Sequence, residues 1–347
     1  MISQVPDVRR QVRAAAVQAE PVWLDAKAGV AKTVELIAQA DRGGADLIVF
    51  PEVWIPGYPV FLWLGAVAGQ VPFVGRYHAQ SLAVDGPELT TVREAARRHA
   101  MTVVLGFSER RSGTLLVSQV VIGEDGGVLI HRHKLKPTHV ERSLFGDGDG
   151  SDLVVVPTAA GRLGAMACAE HHQPLNKQAM YAQNEEVHAA SWPCYGVYRD
   201  VAYALSPDVY LAANQMYALE GSCFTVASTQ LISQAGVDMF AGTDEQRRLL
   251  RAGGGFARIY APDGRLISDV LDEQVEGLVY ADLDLDLIPY SKNVFDPAGH
   301  YARPDALQLV HHREPHRAVL STGNAPASPR ADLPALKAAA SPAGTGQ

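Results

Sequence analysis

The sequence has few cysteines, no excess of basic residues and no long apolar run, and each shortage excludes a class of protein. Its 347 residues include only three cysteines, too few for a disulfide framework. With 30 Lys and Arg against 38 Asp and Glu, the net charge is −8, so we expect no binding of nucleic acid or of a membrane surface. No apolar run approaches the ~20 residues of a membrane span, and the first residues lack the apolar segment of a signal peptide. We therefore predict a cytoplasmic protein.

Hydrophobic residues make up 47% of the chain, and their periodicity predicts interleaved strands and helices of an α/β fold. Helical spacing extends over residues 26–41, and an apolar run at 47–50 is typical of a buried strand. Residues 115–133 predict an antiparallel hairpin, and residues 198–218 predict a long helix. After about residue 317 the chain is rich in Ala, Pro and Gly, which predicts a flexible tail.

Three predicted strands end in a residue that can take part in chemistry, namely Glu52, Lys134 and Cys168. Taken singly, each has an ordinary structural explanation, because a carboxylate after a strand is often a cap and a cysteine is often core filler. Taken together, they supply a nucleophile, a base and a cation. A thiol has a pKa of about 8.5, so a neighbouring base or cation is needed to give thiolate at neutral pH.

Several longer segments carry a family resemblance. They are FPEVWIPGYP, HKLKPTHVERSLFGDGDGSD, CAEH, EEVHAASWP, GGGFARIYAPDG and DPAGHYARPD. In this order they resemble the nitrilase branch of the carbon–nitrogen hydrolase superfamily, arylacetonitrilases in particular, over residues 11–305. The resemblance implies a four-layer αββα sandwich, in which two packed mixed sheets are flanked by helices, and leaves residues 306–347 as a C-terminal extension.

The resemblance also assigns roles to particular residues. Cys168 matches the family's nucleophile, Glu52 its general base and Lys134 its catalytic lysine, with Lys136 as the alternative lysine. Glu141 matches a second carboxylate beside the nucleophile, and a plain salt bridge is the alternative for it. The implied reaction converts a nitrile to a carboxylic acid and ammonia through a Cys-bound thioimidate and thioester, with some amide as by-product and no cofactor.

Four further residues are predicted to contact the substrate: Tyr58, Ala169, Trp192 and His188. Nitrilases usually carry Trp after the nucleophile, and Ala169 stands there in this chain. The smaller side chain predicts a roomier pocket, suited to arylacetonitriles that include α-substituted ones. Core packing is the alternative for the two aromatic residues, and a buried structural histidine is the alternative for His188.

Other functions and partners stay open at this point. An amidase or carbamoylase of the same fold, a cyanide dihydratase, and a filament-forming scaffold without catalysis are the alternatives. The family implies a homo-oligomer built from dimers and extending to a spiral filament, with the regions after Cys168 and after Asp296 as candidate interfaces. We predict no metal site, although histidine is a common zinc ligand and four histidines lie in two groups, His131 with His133 and His171 with His172. We treat Cys194 and Cys223 as structural.

Overall fold

The computed structural model describes residues 10–316, which form twelve strands and eight helices. The strands are β1 Gln11–Ala19, β2 Leu47–Val49, β3 Thr102–Arg111, β4 Thr114–Ile122, β5 Val128–His133, β6 Phe145–Gly146, β7 Val155–Thr158, β8 Gly161–Ala167, β9 Val187–Trp192, β10 Phe224–Gln230, β11 Arg258–Tyr260 and β12 Gly277–Asp284. The helices are α1 Ala26–Arg42, α2 Val67–Ala79, α3 Pro87–Arg98, α4 Pro174–Tyr181, α5 Pro207–Gly221, α6 Gln234–Phe240, α7 Asp244–Leu249 and α8 Ile288–Val294.

Hydrogen bonding joins the strands in the order β5-β4-β3-β2-β1-β10-β9-β8-β7, with β12 paired to β1, β11 to β10 and β6 to β4. The pairing of β1 with β10 involves only two residue pairs, Gln18 with Thr229 and Ala19 with Gln230. The sheet therefore consists of two halves that meet at this short junction. The two halves correspond to the two packed mixed sheets that the family resemblance implied, and these two residue pairs make their hydrogen bonding continuous.

Apolar residues of the two halves share one core. Val12, Ala14 and Val49 from the first half pack in the same cluster as Leu163 and Val187 from the second. The opposite face of the first half packs against α1 and α3. The opposite face of the second half contributes to clusters with α4 and α5. The order of layers is helix, sheet, sheet, helix, which confirms the predicted αββα sandwich.

Strand direction determines where the predicted site residues lie. Strand β2 is parallel to β1, which is parallel to β10, and the parallel pairing continues through β9 to β8. Strand β5 also runs in this direction, because two successive antiparallel pairings connect it to β3, which is parallel to β2. The carboxyl ends of β2, β5 and β8 consequently point the same way, and functional residues collect at such ends.

The first residues of the predicted extension, up to residue 316, lack helix and strand and lie against the loop before β7. The His311 ring Nε2 lies 2.6 Å from the carbonyl oxygen of Gly150, and the backbone N–H of His316 donates to Asp149. The domain boundary at residue 305 stays a prediction, and the proposed tail from about 317 lies outside the described residues. Within residues 10–316, no helix is both long and apolar enough to cross a bilayer.

Candidate active site

Glu52 follows β2 in a turn that is held at its backbone. Its N–H donates to the carbonyl of Trp192 over 3.3 Å, and its own carbonyl accepts from the Gln230 amide over 2.6 Å. Strand β3 comes so close to this turn that a Cβ on Gly106 would lie only 3.0 Å from the backbone nitrogen of Val53. Glycine at position 106 is therefore needed to keep the turn, and with it the Glu52 carboxylate, in place.

Lys134 joins two carboxylates in the interior of the protein. Its Nζ lies 2.7 Å from Glu52 Oε1 and 2.8 Å from Glu141 Oε2, and all three side chains are buried. Glu141 Oε1 also accepts a 2.7 Å hydrogen bond from the Tyr58 hydroxyl, which in turn accepts from the Trp63 indole over 3.1 Å. The structure thus brings together three predicted catalytic residues and one predicted substrate-binding residue.

Cys168 follows directly after β8 and opens a short 3₁₀ turn over Cys168–His172. Its backbone φ is +47°, a left-handed conformation that residues with a side chain rarely adopt and that concentrates at functional sites. Cys168 and the neighbouring Ala169 are half-buried, whereas residues 163–167 of the strand before them are buried. The thiol lies close enough to Glu52, Lys134 and Glu141 for all three charges to act on its pKa.

The charges in this cluster set the resting protonation states. Burial raises the pKa of the Cys168 thiol well above its usual range, with Glu52 adding to the rise and Lys134 opposing it. Burial also raises the pKa of Glu52 to about 8, against the pull of Lys134. Although burial disfavours its ammonium form, the carboxylates of Glu141 and Glu52 raise the pKa of Lys134 well above normal. A protonated thiol therefore stands beside a fixed cation and a carboxyl group whose pKa is about 8.

Glu52 has one oxygen that the rest of the cluster does not use. Oε1 binds Lys134, whereas Oε2 is buried and has no hydrogen-bond partner among the described residues. A buried carboxylate oxygen without a protein partner is costly, and a catalytic role is one of the explanations for such an atom in a native structure. Oε2 is the atom of the cluster that is free to accept a proton.

Glu170 was not assigned a role from the sequence, and it holds the site together. One of its carboxylate oxygens accepts from the backbone N–H of Ala167 over 2.8 Å. The other accepts from the N–H of Leu135 over 2.9 Å and from Arg132 over 2.6 Å. This buried carboxylate fastens the turn that carries Cys168 to the segment that carries Lys134. The sequence signal for Glu170 was its position two residues after the predicted nucleophile.

The structure does not place Trp192 and His188 in the carboxylate–lysine cluster. The side chain of Trp192 is buried, and its indole donates to Asn214 over 3.0 Å. His188 is also buried, with Nδ1 2.7 Å from a Glu185 oxygen. Substrate contact by these two residues stays a prediction.

A second cluster of possible ligand atoms lies on β3 and β5. Single ligand atoms of Glu109, His131 and His133 lie within 4.8 Å of one another. The carboxylate of Glu109 is hydrogen-bonded to both rings, at 2.6 Å and 3.2 Å. The Arg111 guanidinium lies 2.8 Å from His133 Nε2, the ring nitrogen that would face an ion. Because its positive charge opposes a cation there, the cluster is better described as an ion-pair network.

The fold described above is that of a family of hydrolases, as comparisons with known proteins show. Residues 13–290 match the carbon–nitrogen hydrolase family, to which this chain belongs. It is 48% identical to an aliphatic nitrilase of Rhodococcus rhodochrous over 314 residues, covering 89% of this chain and 86% of that protein. It is 46% identical to the arylacetone-specific nitrilase of Alcaligenes faecalis, covering 90% and 89%.

Among solved structures, the carbon–nitrogen hydrolase of Helicobacter pylori G27 aligns with a TM-score of 0.69 at 16% identity, covering 85% of this chain and 96% of that chain. At this identity the likeness concerns the fold alone. It agrees with the sandwich described above.

Proposed function

We propose that this protein is a nitrilase that hydrolyses organic nitriles to carboxylic acids and ammonia, with Cys168 as nucleophile, Glu52 as general base and Lys134 and Glu141 as supporting charges. The observation that carries the proposal is the buried Glu52–Lys134–Glu141 cluster, whose charges act on the Cys168 thiol and in which one oxygen of Glu52 is free. The similarity to nitrilases over most of the chain supports the same conclusion.

The first step forms a carbon–sulfur bond. A nitrile carbon is a weak electrophile without a leaving group, so a thiolate has to add to it while a proton reaches the nitrogen. The raised pKa of Cys168 means that the resting thiol keeps its proton. Glu52 Oε2 takes this proton as sulfur attacks and passes it to the nitrile nitrogen, which gives a thioimidate bound to Cys168.

The second step consumes two water molecules. Glu52 removes a proton from the first water while the oxygen of that water adds to the thioimidate carbon. The ammonium group of Lys134 stabilises the resulting tetrahedral intermediate. Protonation of the nitrogen and cleavage of the carbon–nitrogen bond release ammonia and leave a thioester. A second water cleaves the carbon–sulfur bond, so that the carboxylic acid leaves and the thiol is restored. Carbon–sulfur cleavage at the tetrahedral stage gives amide instead.

The substrate class follows from the surroundings of the sulfur. Ala169 is half-buried beside Cys168 and offers only a methyl group. We infer a pocket that accepts arylacetonitriles, including those with a substituent on the α-carbon. Replacing Ala169 with Trp should shift the preference toward smaller nitriles and change the ratio of acid to amide. An unchanged substrate ranking with an unchanged ratio would contradict this account of the pocket.

The experiment that tests the function measures ammonia, acid and amide released from phenylacetonitrile, mandelonitrile, benzonitrile, an aliphatic nitrile, cyanide and phenylacetamide. The wild type is compared with Cys168→Ala and with Cys194→Ala, a matched control because Cys194 is a buried core residue. We expect activity on arylacetonitriles that is lost only in Cys168→Ala. Turnover of the amide alone would assign the protein to an amidase, and turnover of cyanide alone to a cyanide dihydratase.

Assembly and location are further parts of the proposal. We expect a homo-oligomer built from dimers and extending to a spiral filament, with contacts through the region after Cys168 and the segment after Asp296. Large apolar side chains are exposed in both, at Leu175 (67%) and at Tyr301 (59%). Light scattering of the wild type and of Leu175→Asp tests this, since the variant should give smaller particles. The cytoplasmic location is tested by cell fractionation.

A further inference from the structure

A chain of buried side chains ends at the backbone carbonyl of Cys168. His171 Nδ1 lies 2.7 Å from that carbonyl oxygen, and its Nε2 lies 2.9 Å from Nε2 of His188. His188 Nδ1 lies 2.7 Å from Oε1 of Glu185, whose Oε2 accepts a 2.7 Å bond from the Tyr217 hydroxyl. All four side chains are at most 2% exposed. The catalytic scheme above uses none of them.

Hydrogen-bond donors and acceptors in this chain can be assigned in order, starting from the carbonyl. A carbonyl oxygen only accepts, so Nδ1 of His171 carries a hydrogen. With a neutral ring, Nε2 of His171 is then an acceptor, and Nε2 of His188 must donate to it. The remaining nitrogen, Nδ1 of His188, is consequently an acceptor. Among residues 10–316, the group in position to donate to it is Glu185, which must then be protonated.

The environment of each group favours this neutral arrangement. Burial lowers the pKa of His171 and of His188 well below the usual value, which disfavours an imidazolium. Burial raises the pKa of Glu185 to about 8, which favours the protonated acid. Strand β8 makes room for this carboxyl group, because a Cβ on Gly164 would overlap with it.

We propose that Glu185, His188 and His171 form a one-directional hydrogen-bond relay that holds the carbonyl of Cys168 and so positions the nucleophile. Cys168 needs such support because its left-handed φ of +47° is a strained conformation that persists only when neighbouring groups enforce it. The relay touches the backbone of the nucleophile and not the reacting atoms, so its members are positioning residues. This inference rests on the proposed role of Cys168.

Loss of one proton from the relay breaks it at the Cys168 end. If Glu185 ionises, the ring hydrogen of His188 moves from Nε2 to Nδ1, where it is donated to the carboxylate. Nε2 of His188 then becomes an acceptor. His171 must then donate from Nε2, which leaves a bare Nδ1 facing the Cys168 carbonyl. The titratable or charged groups that face the relay are His172, Tyr181, Tyr217, Cys223, Arg132 and Glu170.

Two substitutions of Glu185 with similar volume separate hydrogen bonding from packing. Gln reproduces the protonated acid, since its amide donates to His188 and its carbonyl accepts from Tyr217, whereas Met offers neither. We expect kcat of Glu185→Gln to stay close to that of the wild type at neutral pH, and kcat of Glu185→Met to fall by about 10- to 100-fold with little change in KM. Glu94→Met, at an exposed glutamate of α3 and outside the relay, serves as the control.

The pH profile and a double variant provide readouts that a purely structural role would not move. Because Gln cannot ionise, the alkaline fall of kcat should shift to higher pH in Glu185→Gln, with the acid limb unchanged. In His171→Asn, the amide nitrogen replaces Nδ1 as the donor to the Cys168 carbonyl. The shorter side chain lacks Nε2, so the contact with His188 is lost. Adding Glu185→Met to this variant should therefore cause little further loss.

The outcomes are distinguishable from each other. Equal losses in Glu185→Gln and Glu185→Met, or multiplicative losses in the double variant, would show that Glu185 serves packing only and overturn the relay. The rate at which iodoacetamide alkylates Cys168 gives a second measure, which should fall in Glu185→Met and not in Glu185→Gln. Full activity in Cys168→Ala would instead overturn the proposed function, whatever the relay variants show.

Discussion

Replacing Glu141 with Gln removes one negative charge from the cluster and keeps its shape. Oε2 of Glu141 faces two donors, Lys134 Nζ at 2.8 Å and the Thr138 N–H at 2.7 Å, so the amide oxygen must take that position. The NH₂ group then faces the Tyr58 hydroxyl and cannot accept the hydrogen bond that this hydroxyl donates to Glu141 in the wild type. The hydroxyl already accepts a hydrogen bond from Trp63. Losing a charged hydrogen bond of this kind costs about 1.5 to 3 kcal/mol, which corresponds to a roughly 10- to 150-fold lower kcat.

The same substitution predicts a shift in pH dependence whose sign follows from the charges. Glu141 is one of the groups that raise the pKa of Glu52, so its neutralisation lowers that pKa. Because the ionised form of Glu52 is the base, the acid limb of kcat/KM should lie near pH 8 in the wild type and at lower pH in Glu141→Gln.

The assay is ammonia release from phenylacetonitrile over about pH 5 to 10, for wild type and variant. Asp147→Asn serves as the control, since Asp147 is a half-exposed carboxylate that pairs with Lys136. An acid limb that stays in place in Glu141→Gln, with a loss of activity no larger than in the control, would refute the assignment of Glu141 to this cluster.

Two further variants test groups that support the cluster. Tyr58→Phe removes the hydroxyl that donates to the second carboxylate, so kcat should fall by about 10-fold, or roughly 1.4 kcal/mol, while KM changes little; steady-state kinetics measure it, and an effect on KM alone would instead indicate contact with substrate. Glu170→Gln removes the charge that compensates the buried Arg132, so the free energy of unfolding should fall by about 3 to 5 kcal/mol in urea titrations; an unchanged midpoint would contradict it.

Much of the fold could be predicted where apolar periodicity and chain breakers agree. The helix predicted over residues 26–41 is observed at Ala26–Arg42, and the strand at 128–133 is observed as β5 Val128–His133. The helix predicted over 198–218 begins only at Pro207. Proline fits the first turn of a helix but disfavours helical backbone just before it, and Ser206 is extended. Helix α2 was missed, because its apolar Val67 and Val71 are exposed whereas the polar Gln70 is buried, so the apolar pattern does not mark the buried face.

Some residues of the candidate site could be predicted from the sequence pattern, and others could not. The grouping of Glu52, Lys134 and Cys168 was predictable because each follows a strand, and strands that run in one direction place such residues at a common edge. The nearness of Glu170 to Cys168 was visible in the sequence, but the roles of Glu170 and Glu185 were not, because they depend on partners that only the tertiary structure brings into reach. A buried carboxyl group has no sequence signature of its own. Whether it is charged, as beside Arg132, or protonated, as beside His188, depends on the neighbours it meets after folding.

The most direct test of the central claim is to find the covalent intermediate. Wild-type protein is quenched in acid during turnover of phenylacetonitrile, digested and examined by peptide mass spectrometry, with Cys168→Ala and Cys194→Ala treated alike. We predict a mass increase corresponding to the thioimidate or the phenylacetyl thioester on the peptide that contains Cys168, present in wild type and Cys194→Ala and absent in Cys168→Ala. Turnover without any such adduct, or an adduct on Cys194 or Cys223, would contradict the assignment of Cys168 as the nucleophile.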